Sequence, residues 1–177
     1  MFDEKRIKDE YKIGFIGRWG IGAKTSLISR ITNNTFNYES PITEVPSFKS
    51  LVFEIENGKR IKLSLWDSPG VEQRRELVKN FCIKDSDCVV IGFDIADKSS
   101  FDEVKEYWYP TVKEILKTNL IYLIGNKIDL YENAQVDLKE AKNFAIANNL
   151  RYFETSCLTT KGIKEFLDDL KNEIIKV

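Results

Sequence analysis

Two apolar runs without a charged residue, Cys88-Val89-Val90-Ile91-Gly92-Phe93 and Leu120-Ile121-Tyr122-Leu123-Ile124, set the tightest limit on the fold. A strand with one wet face alternates apolar and polar residues, so runs this uniform fit strands covered on both faces by helices. Helical patterns fall between them: Leu27, Ile28 and Ile31; Val104, Trp108 and Val112 behind a cap expected at Ser99 or Ser100; Leu138, Ala141, Phe144 and Ala145; Ile163, Phe166, Leu167, Leu170 and Ile174. One alternating pair stands apart. Leu51, Phe53 and Ile55 are joined to Ile61, Leu63 and Leu65 through Glu56-Asn57-Gly58-Lys59, where Asn-Gly marks a tight hairpin turn. The order β-α-β-β-α-β-α-β-α-β-α predicts an α/β fold with a mainly parallel, doubly wound sheet and one antiparallel edge hairpin.

A chain of 177 residues, 42% hydrophobic and 31% charged, suits a single domain over residues 1–177. Its net charge of -1 gives no support for binding nucleic acid or an acidic membrane through bulk charge. With no histidine and three cysteines (Cys82, Cys88, Cys157) lacking ligand spacing, zinc and imidazole-based catalysis are set aside, and the thiols read as reduced in a cytoplasmic protein. The N-terminus, Met-Phe-Asp-Glu-Lys-Arg, is charged and unlike a secretory signal, and no run is long enough to span a bilayer. Lys176-Val177 carries no prenylatable cysteine, so either this end is not lipidated or a tail that would make the protein peripheral to membranes is missing.

Ligands of doubly wound sheets sit beyond the carboxyl ends of the strands, which makes four strand-end stretches informative. The first, Gly17-Arg18-Trp19-Gly20-Ile21-Gly22-Ala23-Lys24-Thr25, follows the apolar Ile13-Gly14-Phe15-Ile16 and precedes a helix. Glycines let successive backbone N–H groups turn toward a phosphate chain, and a helix N-terminus adds positive charge. Lys24 is placed to reach phosphate oxygens and Thr25 to ligate Mg²⁺, with Ser26 opening the helix. The usual pattern puts lysine directly after the second glycine; here Ala23 intervenes, which leaves a plain glycine-rich turn as the competing reading.

Asp67-Ser68-Pro69-Gly70 supplies a carboxylate for Mg²⁺ and a glycine amide able to approach a terminal phosphate. In Asn126-Lys127-Ile128-Asp129 a carboxylate matches the paired N–H donors of guanine, a pair that adenine lacks. With these pieces in order, the chain resembles a small GTPase of the Ras superfamily, a P-loop NTPase of the small G-domain type, over about residues 10–176. The resemblance implies GTP and GDP as ligands with Mg²⁺ as cofactor, Phe36 packing on the guanine, and Thr43 ligating Mg²⁺ beside Thr25 and Asp67. It also implies a phosphate loop made of Gly20, Ile21, Gly22, Ala23, Lys24, Thr25 and Ser26, and a last loop of Ser156, Cys157 and Leu158. Cys157 and Leu158 stand where the family carries alanine and lysine.

Trp66, Phe81 and Ile83-Lys84-Asp85-Ser86 resemble Rab proteins, whereas Trp108-Tyr109-Pro110 resembles Rho proteins; the short span from Asp129 to Glu154 and the identity of Asn126 favour Rab. The resemblance implies effectors and exchange factors docking on two loops, Thr32–Ser50 and Ser68–Asn80, whose order follows the γ-phosphate. It also exposes departures. Val71 stands at the position of the glutamine that orients the attacking water, Gln73 is two residues away, Trp19 occupies a site of small residues, and Pro69 removes a backbone donor. These predict a slow GTPase in vesicle traffic or signalling, with no catalytic side chain assigned. A nucleotide-independent interaction module, a Rho-like switch and a domain that retains GDP alone remain as alternatives.

Overall fold

Six strands form one sheet: β1 (Glu10–Ile16), β2 (Ser47–Glu54), β3 (Arg60–Asp67), β4 (Cys88–Asp94), β5 (Ile121–Asn126) and β6 (Arg151–Thr155). The structure, a computed structural model, describes residues 7–38 and 42–177. The expected loop residue Pro41 and the charged stretch 1–6 lie outside the described residues. Strand order is β2-β3-β1-β4-β5-β6, with β2 and β3 antiparallel and every other pair parallel, as the apolar runs and the hairpin predict.

Alternation inside the doubly covered strands sorts the core into two halves. Cys88, Val90, Tyr122 and Ile124 face α1 (Thr25–Asn33) and α5 (Ile163–Ile174), packing with Leu27, Ile28, Phe166 and Leu170. Val89, Ile91, Phe93, Ile121 and Leu123 face the opposite layer of α2 (residues 75–83), α3 (residues 98–115) and α4 (Leu138–Ala147). Full burial of such side chains contributes about 1.5–3 kcal/mol each. Truncating fully buried Phe166 to alanine would therefore cost about 3–5 kcal/mol. α1 leaves β1 toward one face while α2 leaves β3 toward the other, so the loops between them diverge and open a crevice at the carboxyl edge of the sheet.

Three local expectations are corrected. α3 is capped by Asp97, whose carboxylate accepts the Ser99 N–H at 3.0 Å, while the Ser100 hydroxyl turns inward to accept the Asp94 N–H. The loop expected over Thr32–Ser50 is shorter: α1 runs through Asn33, and β2 starts at Ser47, opposite Asp67. Edge-strand pairing uses backbone groups, so the polar Ser47, Lys49 and Ser50 carried no apolar signal of it. The stretch Ser68–Asn80 contains a 3₁₀ turn (Glu72–Arg74) and most of α2. α3 widens into a π turn over Val104–Trp108, ending two residues before Pro110, which has no N–H to give to a regular helix.

Candidate functional site

The stretch after β1 is absorbed into the fold by sending alternate side chains down into the core. Ile21 and Ala23 are buried, and a Cβ placed on Gly92 of β4 would lie only 2.4 Å from the Ala23 methyl. Alternating with them, Gly20 and Gly22 take positive φ (80° and 69°) and line a cleft. The extra residue is thus accommodated beneath the loop. Main-chain distortion collects at Lys24 (φ -118°, ψ -96°), after which α1 begins with no side-chain cap and no acidic residue in its first turn. The first-turn N–H groups of such a helix end have no side chain competing with an incoming anion.

The Lys24 side chain is buried and its ammonium donates to the Arg18 carbonyl at 2.7 Å. Burial pushes it down to about 8, opposed by the charges of Asp67 and Glu103. Beside it, Thr25 donates to Asp67 Oδ2 at 2.6 Å and Thr43 to the same oxygen at 3.1 Å, with the two hydroxyls 3.1 Å apart. Asp67 Oδ1 is buried with no hydrogen-bond partner among the described residues. Burial raises the Asp67 carboxyl above its ordinary range, against the hydrogen bond from Thr25 and the charge of Lys24. An orphaned carboxylate oxygen costs stability unless a cation or donor completes it. Three oxygen ligands converging from α1, the first loop and β3 suit a hard divalent ion such as Mg²⁺.

At the other end of the cleft, Asn126 closes β5 and ties two loops together. Its amide donates to the Ile21 carbonyl at 3.1 Å and its oxygen accepts from the Thr155 hydroxyl at 3.0 Å. Lys127, at φ 66°, extends along the cleft to the Gly20 carbonyl (2.8 Å) and to Asp94 (2.6 Å). Asp129 is exposed and accepts from the Ser156 hydroxyl, which fixes the carboxylate at the cleft rim. Cys157 Sγ lies 3.4 Å from the Gly22 carbonyl, and Arg30 of α1 donates to the Cys157 and Leu158 carbonyls.

The cleft encloses about 550 Å³. Of the residues singled out by sequence, Gly20, Gly22, Lys24, Thr25, Ser26, Phe36, Thr43, Gly70, Asn126, Lys127, Asp129, Cys157 and Leu158 line it. Asp67 and Ser156 reach it through hydrogen bonds to lining residues, whereas Ile21 and Ala23 are buried in the core and do not line it. Asp94, Tyr38, Ile42 and Leu130 also belong to this neighbourhood and were not anticipated. Asp94 ends an apolar strand, the same signal that singled out Asp67 and Asn126.

Trp19 is exposed at the cleft mouth, and its N–H donates to the Gly70 carbonyl at 3.0 Å. A Cβ on Gly70 would come within 2.4 Å of the Trp19 nitrogen, so only glycine permits this approach. Arg18 turns away from the cleft to Asp97 and Ser99. Val71 precedes the 3₁₀ turn, and Gln73 is exposed within it.

Compared with models of known protein families, residues 12–176 match the Ras family. The chain belongs to the Ras family. Its similarity to individual Ras-family proteins is on the Rab side. It is 34% identical to GTP-binding protein ypt3 of Schizosaccharomyces pombe over 175 residues, covering 96% of this chain and 80% of that protein. It is 32% identical to Ras-related protein Rab-21 of Homo sapiens over 94% of this chain and 72% of that one. Ras-related protein Rab-1 of Theileria parva is 34% identical over 88% and 70%, respectively. Of the two Rab-like aromatics, Trp66 stacks on Phe48 at 5.2 Å and Phe81 is exposed, whereas the Rho-like Trp108 is buried.

Proposed function

We infer that this Rab-like chain is a guanine-nucleotide switch that binds GTP and GDP with Mg²⁺ and hydrolyses GTP slowly. One observation carries the reading: Thr25, Thr43 and the half-satisfied carboxylate of Asp67 converge beside a buried lysine and an uncapped helix end. Thr25, Thr43 and Asp67 would hold Mg²⁺, which when bound neutralises phosphate charge. Lys24 and the amides of residues 20–26 would hold the phosphates. Asp129 would accept the guanine donors while Ser156 keeps its carboxylate in place, and Phe36, Lys127 and Leu158 would flank the base.

Slow turnover follows from Val71, whose side chain can neither accept from nor donate to an attacking water. Partners, exchange factors and effectors among them, would read residues 42–50 and 68–80, where Ile42, Val45 and Phe48 are exposed. Membrane traffic, from the cytoplasm or a membrane surface, is the setting that the Rab relatives suggest. Among the described residues no helix is long and apolar enough to cross a membrane.

Chromatography of nucleotide released from purified, denatured protein, followed by single-turnover GTP hydrolysis, tests the proposal. Bound GDP or GTP and a rate well below that of glutamine-bearing relatives are expected. Protein free of nucleotide at saturating GDP would overturn binding, and a rate equal to those relatives would overturn slow hydrolysis. A second reading, retention of GDP alone, is favoured by the Trp19 to Gly70 hydrogen bond, because that contact occupies the side of the cleft a terminal phosphate would enter.

A further inference from the structure

Asp94 sits buried at the carboxyl end of β4, in reach of Lys127 from the cleft and of the turn that opens α3. Its Oδ1 accepts the Ala96 N–H at 2.9 Å, which fixes the rotation of the carboxylate. Its Oδ2 accepts from Lys127 Nζ at 2.6 Å, and that same ammonium donates to the Gly20 carbonyl at 2.8 Å. Its backbone N–H is bound to the Ser100 hydroxyl, so the first turn of α3 holds the strand end in place. Asp94 therefore reaches the glycine loop through one lysine, and that lysine is also the residue stretched along the cleft. Without a carboxylate there, the Lys127 ammonium would have one acceptor and a long flexible stem.

We propose that Asp94 is a positioning residue for nucleotide retention. By fixing Lys127 it locks the base end of the cleft to the phosphate loop, so that loosening one releases both. The proposal rests on the guanine-nucleotide reading above. Ion-paired hydrogen bonds of this partly buried kind are among the stronger ones, since the carboxylate has given up most of its water while the ammonium keeps some. The lysine's left-handed backbone at φ 66° adds a reason for the tether, because a non-glycine residue keeps that conformation only where its surroundings enforce it.

The test is release of a fluorescent GDP analogue into excess unlabelled GDP at fixed Mg²⁺, for wild type, Asp94→Asn, Lys127→Met and the double variant. Asn keeps an oxygen for Ala96 while removing the charge that faces Lys127. Release from Asp94→Asn should be faster by about tenfold. The double variant should release no faster than Lys127→Met, a coupling that a merely structural role for Asp94 would not produce. Asp94→Glu keeps the charge and should bring release back toward wild type. Wild-type release from Asp94→Asn, effects that multiply in the double variant, or equal rates for Asn and Glu would each overturn the proposal. Amide exchange in nucleotide-free protein separates this from failure of the binding reading. There Asp94→Asn should raise exchange across residues 18–24, and unchanged exchange would remove the link whether or not nucleotide binds.

Discussion

The backbone N–H of Trp19 donates to the carbonyl of Gly70 across 3.0 Å, joining the phosphate loop to the segment that follows β3. A γ-phosphate that drew the Gly70 amide toward itself would have to disturb this bond and the close packing behind it. Replacing Trp19 with glycine keeps that backbone N–H but removes the exposed indole at the cleft mouth and, with no Cβ, makes the main chain at this contact easier to shift. We expect W19G to improve affinity for a non-hydrolysable GTP analogue relative to GDP by about tenfold, because the contact between residue 19 and Gly70 then yields more readily to the γ-phosphate. Calorimetric titration with both nucleotides decides it, and an unchanged ratio would show that the contact does not discriminate.

On the switch reading proposed above, Val71 would leave the path of an attacking water without a hydrogen-bonding side chain. V71Q would place an amide directly after Gly70, and single-turnover hydrolysis should rise by at least about tenfold, as general positioning of a water implies. The gain should be larger in the W19G background, where the incoming side chain meets less bulk. No gain in either background would mean that the second segment holds residue 71 away from the phosphates.

The architecture was legible because β4 and β5 are apolar on both faces and because Asn57-Gly58 marks the hairpin. The strand-end rule likewise brought Asn126 and the glycine loop to one cleft, with Asp67 bound to Thr25 of its wall. What stayed hidden had polar or non-local causes. Ser47, Lys49 and Ser50 pair as an edge strand through backbone alone, and Asp97 caps α3 because it precedes the serines that were expected to do so. Ala23 was read as a defect of the phosphate loop. Its place is set by Gly92, a residue 69 positions away by their numbers, whose missing side chain leaves the space that the Ala23 methyl fills.

Burial holds the Lys24 ammonium at about 8, below its ordinary 10.5, despite Asp67 and Glu103 nearby. In the unfolded chain this lysine stays protonated to higher pH, so ligand-free protein gains stability as pH rises from about 8 toward 10.5. A phosphate group favours the charged form, and binding must then take up a proton wherever the free site has lost it. GDP affinity should fall between about pH 7.5 and 9.5, with proton uptake at pH 8.5 and little at pH 6.5. Calorimetry in two buffers of different ionisation enthalpy reads this directly. K24M should abolish the uptake, and proton release on binding would contradict the assignment.

Arg75 pins the first turn of α2 to α3. Its guanidinium lies 3.7 Å from the centroid of Tyr107, pairs with Glu103 at 2.9 Å and with Glu72 at 2.7 Å, and keeps a buried Nε without a hydrogen-bond partner among the described residues. Stacking and a half-shielded ion pair together stabilise the docked helix by about 1–3 kcal/mol. Nucleotide-dependent change should therefore stop short of α2. Amide exchange of GDP-bound and GTP-analogue-bound protein should differ over residues 68–74 and match over 75–83. In R75A the difference should spread through residue 83, and R75K should not restore the limit, because an ammonium keeps the charge but loses the planar stack on Tyr107. A difference already extending through residues 75–83 in the wild-type chain would show that α2 moves as one piece with the preceding turn and that Arg75 does not bound the motion.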